Sequence, residues 1–179
     1  MSDASKPSLA FRGYQPGDLG RVIALHGDYY HRHWGFDLSF EAQEAMELAE
    51  FLSRLDPARD FFLTAWAGER FAGAIAIDGV LGGEGARLRW FIVDEGLQGQ
   101  GVGQALISRA LTFCRAAGHS RVFLWTFEGL NAARALYERA GFSLAEEREV
   151  HQWGGVVREQ RFDLIFKASR NRPSTVTKA

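Results

Sequence analysis

A chain of 179 residues is long enough to bury a sizeable core and too short for two full domains. Hydrophobic residues make up 46% and charged residues 24%, the composition of a globular domain, which excludes disordered and fibrous architectures. The 21 basic and 22 acidic residues leave a formal net charge of -1, so no overall field draws in the nucleic-acid phosphate backbone and a DNA- or RNA-binding role is not expected.

Residues 1–8 are polar and contain Pro7; they lack the charged and then apolar layout of a secretory leader and read as a tail. "LAFRGY" at Leu9 to Tyr14 reads as a first strand, and Pro16, Gly17 and Asp18 supply turn and helix-start chemistry for a helix over about Leu19 to His31. In "FEAQEAMELAEFLSRL", Phe40, Met46, Leu48, Ala49, Phe51, Leu52 and Leu55 share one helical stripe, with Glu and Gln opposite, and Pro57 ends that helix. "FFLTAW" and "FAGAIAI" flank a turn at Ala67 to Arg70, a hairpin pattern, and a glycine-rich loop, Gly79 to Gly85, follows. A strand over Arg87 to Glu95 leads through a short loop into a helix with Val102, Leu106, Ala110, Phe113 and Cys114 at helical spacing. Cys114 is the only cysteine; no internal disulfide can form, its helical setting marks it as packing, and a reducing, cytoplasmic setting is expected.

A strand over Arg121 to Phe127 runs through Glu128 and Gly129 into a helix over about Leu130 to Ala140, which Gly141 can close in the left-handed conformation. Two more strands, Ser143 to Trp153 and Val156 to Phe166, are joined at Gly154 and Gly155; the second of them, taken as an edge, offers a surface for a homodimer. Residues 167–179 carry no apolar period and read as a second tail, leaving one domain over residues 9–166. No run of eighteen apolar residues occurs, so no membrane partner is expected.

The chemistry concentrates in "VDEGLQGQGVGQAL". Gly99, Gly101 and Gly103 lie between a strand and the first turn of a helix, where four backbone N–H groups lack intrahelical partners. Glycine lets backbone approach a ligand closely and accepts the φ values of a tight turn, and the helix dipole adds partial positive charge, so a diphosphate is the natural guest. The alternative is a plain tight turn, for which one glycine would suffice. No Gly-Lys-Ser or Gly-Lys-Thr follows, which argues against a nucleoside triphosphate; Gln104 occupies the position where a dinucleotide loop has a small residue, and half the chain precedes it.

"QGQGVG" matches the phosphate-loop motif of the GNAT acetyltransferase superfamily, and "NAARALYERAGF" resembles that family's second signature. The resemblance covers about residues 9 to 166 and extends to element order; "GYQPGDLGRVIALHGDYYHRHWGF" is also similar to the acetyltransferase half of proteins fused to a MarR-type DNA-binding domain, a half absent here. It implies an α/β (α+β) fold: a mixed, mostly antiparallel twisted sheet of about six to seven strands, flanked by about four helices, with central strands splayed. It implies N-acetylation of a small-molecule, amino-acid or peptide amine by acetyl-CoA, without a metal; a non-catalytic acyl-CoA sensor is the rival reading.

The same resemblance assigns the pyrophosphate to the backbone of Gln98, Gly99, Gln100, Gly101, Val102 and Gly103, with side chains at Gly101 and Gly103 excluded by the phosphate. The pantetheine arm falls to Phe91, Ile92 and Val93, whose N–H groups could also polarise the thioester carbonyl. Asn131 would cap that arm or, alternatively, cap its helix. Arg134 reaches the phosphates or lies solvated. Tyr137 matches the tyrosine that protonates the leaving thiolate, and it also fits core packing. Glu128 is a general-base candidate near the expected splay, alongside His26, His31, His33 and His151, each equally readable as a solvated or packed side chain. Tyr30, His31 and Trp34 in "HGDYYHRHWGF" would line the acceptor pocket or else serve as helix core; His31 and His33 lack the further ligands that zinc needs.

Overall fold

The computed structural model describes residues 8–79 and 83–167; the expected tails, apart from Ser8 and Lys167, and residues 80–82 of the Gly79–Gly85 loop lie outside them. The elements run β1 (Leu9–Arg12), α1 (Asp18–Trp34), α2 (Leu38–Ser53), β2 (Phe61–Ala67), β3 (Arg70–Asp78), β4 (Ala86–Val93), a 3-10 turn (Glu95–Leu97), α3 (Val102–Ala116), β5 (Arg121–Phe127), α4 (Asn131–Arg139), β6 (Ser143–Gln152) and β7 (Gly155–Ile165). The expected order of strands and helices is the observed one, with the 3-10 turn added. α1 runs one turn past His31 because Gly35, at φ 68, rather than an earlier residue closes it. α2 begins at Leu38, where the Asp37 carboxylate accepts from the Ser39 N–H at 2.9 Å, and ends at Ser53, ahead of Pro57.

The strands form one seven-stranded sheet in the order β1-β2-β3-β4-β5-β7-β6. Neighbours are antiparallel except β4 and β5, which run parallel. β7 is therefore an interior strand and β6 the edge, which corrects the expected edge over Val156 to Phe166. The tight Trp153–Gly154 turn folds β6 and β7 into a hairpin, and β7 rather than β6 inserts beside β5, because β7 carries the buried Gln160, Arg161 and Phe162 while β6 is largely exposed.

Helices cover both faces. On one, α3 and α4 close a core of Ala86, Leu88, Leu106, Ile107, Ala110, Val122, Leu124, Tyr137 and Phe162, with Cys114 packed inside it. On the other, α1 and α2 place Val22, Ile23, Leu48 and Phe51 against Phe62, Ala74, Ala76 and Trp90. A third cluster, of Phe36, Phe40, Trp153 and Val157, joins the start of α2 to the β6–β7 turn. Met46 is 68% exposed and Ala49 is also exposed, so neither belongs to the expected stripe of α2. At about 100° per residue, Met46 lies about 200° round the helix from the fully buried Leu48.

Two features of β4 create a cleft. Its pairing with β5 is confined to Ala86↔Val122 and Arg87↔Phe123, after which the strands diverge and the β5-facing backbone of β4 has no strand partner. A bulge also sets Trp90 and Phe91 against the single residue Ile75, with Trp90 at φ 45, a conformation uncommon for a bulky side chain. The extra residue switches the strand's facing. Ala86 and Leu88 look toward α3 before it, and Phe91 and Val93 after it, so Trp90 is free to enter the α1–α2 core.

Candidate active site

The divergence of β4 from β5 opens a cleft of about 390 Å³ that passes between the two layers of helices. One side is made by β4, the glycine loop, α3 and α4: Phe91, Ile92, Val93, Gln98, Gly99, Gly103, Asn131 and Tyr137 line it. Gly99 at φ 73 and Gly101 at φ 89 hold the loop in a left-handed conformation, and a Cβ on either would meet nothing within 4 Å, so open space lies over both. Gly101 is the N-cap of α3 and has no side chain to satisfy the first N–H groups, as an anion-receiving turn requires.

The other loop positions contribute backbone rather than side chains. Val102 is buried in the α3 core, and the Gln100 amide folds back to donate to the Gly96 carbonyl at 3.2 Å. Gly103 also has a packing reason to be small: a Cβ there would lie 2.9 Å from Leu136 Cδ1 and 3.3 Å from Phe91 Cζ, where α3 comes close to α4 and β4. The residue that caps α4 is Leu130, without a side-chain hydrogen bond, which leaves Asn131 in the cleft wall instead of serving as the cap. Arg134 turns away: its Nε donates to Glu138 at 2.8 Å and its guanidinium lies over the Phe162 ring.

Tyr137 is buried between Phe91, Phe142 and Phe162 yet reaches the cleft, and burial pushes its hydroxyl well above the ordinary phenol range. It is a proton donor that stays protonated. The ring is packed, as one of its two expected readings has it, and the residue also lines the cleft.

The opposite side is made by α1, α2 and the other face of the fork: His26, Tyr29, Tyr30, Phe40, Glu44, Arg87, Arg89, Trp90 and Trp125 line it. Tyr30 lines this side, half-buried and stacked on His26 and Phe36. His31 and Trp34 do not line this cleft. The His31 ring is held by the Phe36 carbonyl at 2.9 Å where α1 turns into α2, and Trp34 packs on Phe36, Phe127 and Gly129. Both are consumed in closing that junction, because α1 continues three residues past His31 and carries them beyond the opening.

Glu128 is also displaced from its expected role. Its side chain is 62% exposed, 4.0 Å from the Arg158 guanidinium, and outside the cleft lining. His33 bonds Glu95 at 2.6 Å and His151 is exposed on β6. Among the described residues no group of three or more His, Cys, Asp or Glu is placed to hold a metal ion, and no helix is long and apolar enough to cross a membrane.

The carboxylate that does line the cleft is Glu44, on α2. Burial raises its pKa above the ordinary carboxylate range against the opposing pull of Arg89, Arg87 and the Trp90 indole. A carboxylate short of solvent and poised toward neutrality is suited to accept a proton. His26, beside it in the lining, is held neutral: burial lowers its pKa to about 4, and its Nδ1–H donates to the Val22 carbonyl at 2.8 Å, so the lone pair is on Nε2. Glu44 was missed in the sequence because Glu41, Glu44, Glu47 and Glu50 look alike along one polar helix; only the folded position of α2 beside the fork singles one out.

Residues 22–142 match the family model described as the Acetyltransferase (GNAT) family, well over half of the chain. The chain belongs to that family. Solved structures agree at the level of fold. This GNAT protein superposes on the ribosomal-protein-S18-alanine N-acetyltransferase of Escherichia coli with a TM-score of 0.67 at 24% identity, covering 92% of this chain and 99% of that one. A GNAT acetyltransferase of Staphylococcus aureus gives 0.71 at 14% identity over 89% and 100%, and a Salmonella typhimurium protein solved with its cofactor acetyl-CoA gives 0.69 at 13% over 93% and 99%. A stretch of 52 residues is 58% identical to the mycothiol acetyltransferase of Beutenbergia cavernae, covering 28% of this GNAT chain and 17% of that relative's length.

Proposed function

We propose that this protein is an N-acetyltransferase that takes the acetyl group of acetyl-CoA and passes it to the primary amine of a small molecule. The observation that carries the reading is the continuity of the cleft, from an uncapped glycine turn on one face of the sheet, through the β4–β5 fork, to a desolvated carboxylate on the other. The glycine turn suits a pyrophosphate, and the unpaired edge of β4 together with Asn131 suits the amide-bearing pantetheine arm. Acetyl-CoA supplies an activated thioester. Everything else is done by residues of the chain.

Glu44, with its raised pKa, accepts a proton from the acceptor ammonium and frees the nitrogen lone pair. The amine attacks the carbonyl carbon while backbone N–H groups of the bulged segment Trp90–Ile92 face the oxygen on which negative charge develops. When the carbon–sulfur bond breaks, Tyr137 gives its proton to the departing sulfur; the second nitrogen proton, released as the amide forms, restores the tyrosine by way of solvent, and Glu44 returns the first to solvent. The products are an amide and CoA thiol. Glu44 takes the base role in place of the exposed Glu128.

The fold relatives are named for different acceptors, so the acceptor has to be read from this chain's own cleft. Two measurements test the reading. Acetyl-CoA should raise the melting temperature, and NAD should not; thiol release over amino acids, polyamines, aminoglycosides and peptides should find a substrate. Binding of acetyl-CoA with no thiol released by any amine would turn the assignment to an acyl-CoA-binding module.

A further inference from the structure

The arginines of the sheet are paired with one exception. Arg12 meets Asp18, Arg70 meets Asp94, Arg89 meets Glu47 and Asp78, Arg121 and Arg161 share Asp163, Arg148 meets Glu159, and Arg158 approaches Glu128. Arg87, half-buried at the last rung before β4 and β5 part, has no carboxylate within 4.0 Å among the described residues and lines the cleft on the acceptor side. Its Nε is buried without a hydrogen-bond partner among the described residues. The nearby acids are engaged elsewhere: Asp78 holds Arg54 at 2.7 Å, and Glu159 holds Arg148 and Gln152, each at 2.8 Å. Burial accordingly lowers the Arg87 pKa, with Glu44, Asp78 and Glu159 opposing only through space.

A buried cation without a counter-ion costs stability, and buried donors without acceptors add to that cost. The first of these costs is relieved if an oxyanion enters the fork beside the guanidinium. Glu44 and Arg87 feel each other's charge yet stand more than contact distance apart, so a zwitterion laid between them meets a carboxylate at its ammonium end and a guanidinium at its acid end. The cleft must also hold the thioester end of the donor, which leaves room for a small acceptor only.

We infer that the acceptor is a small amine that also carries a carboxylate a few bonds away, an amino acid in its simplest form, with Arg87 binding the acid while Glu44 faces the amine. This rests on the acetyl-transfer reading above. A site built to bond an oxyanion discriminates strongly against an analogue without one, because its donors are then left buried and unpaired.

The test compares L-alanine, L-methionine and L-phenylalanine, each beside its carboxamide, as acceptors in thiol-release assays. The acid of at least one pair should have a kcat/KM about 10- to 100-fold above its amide, the worth of a charge-assisted hydrogen bond. The amide's less basic amine is more often unprotonated at neutral pH, so any chemical bias runs against that result. Arg87→Met should erase the preference by lowering kcat/KM for acids about 10- to 100-fold more than for amides, and Arg87→Glu should favour amides and diamines. A merely structural Arg87 would lower both classes together. Arg87→Met should also melt no lower than wild type, since it removes an unpaired buried charge.

Equal use of acid and amide by the wild-type protein, or a parallel fall in both on Arg87→Met, overturns the inference and leaves acetyl transfer standing. If no amine releases thiol, the enzyme reading fails, and melting shifts decide the inference alone: millimolar amino acid should raise the wild-type melting temperature and not that of Arg87→Met. No such shift in either protein overturns it.

Discussion

The two sides of the cleft are made of different material. The side against α3 and α4 is built from backbone, with Gly99 and Gly101 at positive φ, the open edge of β4 beyond Arg87, and a helix start without a cap. The side against α1 and α2 is built from side chains of three separate elements, His26, Glu44 and Arg87, and its polarity comes from how far each is stripped of water. On the proposed reading, the backbone side receives a constant ligand and needs geometry. The side-chain side then selects and activates a variable one, and needs charge. Substitutions on the two sides should therefore fail in different ways, one in donor binding and the other in rate and pH dependence.

Glu44→Gln should produce the largest effect. Loss of a positioned general base lowers kcat by about 10²–10⁴, with the acetyl-CoA Kd held within about twofold, as steady-state rates beside calorimetric titration would read. The wild-type kcat/KM should rise with pH through a value above the ordinary carboxylate range, and that limb should disappear in the variant. Since the raised pKa means that ionising Glu44 costs stability as pH rises, Glu44→Gln should melt at or above the wild type at pH 8. A parallel loss of acetyl-CoA binding would dissolve the division between the two sides.

His26 tests the same side through stability. Its pKa falls from 6.5 in the unfolded chain to about 4 in the fold, so the unfolded state takes up the proton first as pH drops. The fold should lose up to about 3 kcal/mol between pH 6.5 and 4, and little more from this group below that. Urea titrations across the window should show the slope in the wild type and a nearly flat line in His26→Phe.

On the backbone side, Gly103→Val drives a Cβ into Leu136 Cδ1 and Phe91 Cζ, and costs about 1–3 kcal/mol in stability with weaker donor binding. Gly101→Ala has space around it but must hold φ 89, which costs about 1–2 kcal/mol of strain at the loop itself. Thermal melts with and without acetyl-CoA separate the two. The first variant should melt lower in both conditions, while the second should lose much of its ligand-induced shift.

How much of this was legible in the sequence follows the same division. The glycines at 99, 101 and 103, the strand before them and the helix after them are consecutive residues, so the backbone side and the order of elements could be read directly. The acceptor side joins positions 26, 44 and 87, and no local pattern records that α2 places Glu44 beside the fork while leaving Glu41 and Glu50 outside the cleft. Local reading therefore favoured Glu128, which follows a strand end, and His31 and Trp34, which follow the helix. The bulge at Trp90–Phe91 was equally hidden, because alternation in "RLRWFIV" continues across it with its sense reversed. The choice of β6 over β7 as the edge depends on which strand of a hairpin finds the buried neighbour.

The smallest expected effect concerns a polar link between the two sides. At the end of α1, Arg32 and His33 reach Glu95 at 2.5 and 2.6 Å, and Glu95 opens the 3-10 turn that leads into the glycine loop. The His33 hydrogen bond first, and then Arg32, hold the Glu95 carboxyl below its ordinary pKa. A depressed pKa gives stability above the unfolded value that is lost as pH falls through the folded one. The groups are exposed, however, so Glu95→Gln should cost less than about 1 kcal/mol and less still at high salt. The informative quantity is coupling: a double-mutant cycle of Glu95→Gln with Glu44→Gln, read as kcat/KM, should be additive within about 0.5 kcal/mol if the sides act independently. A larger interaction energy would mean that the ion pair sets α1 and α2 over the fork, so that loading the glycine loop and aiming the base are one event.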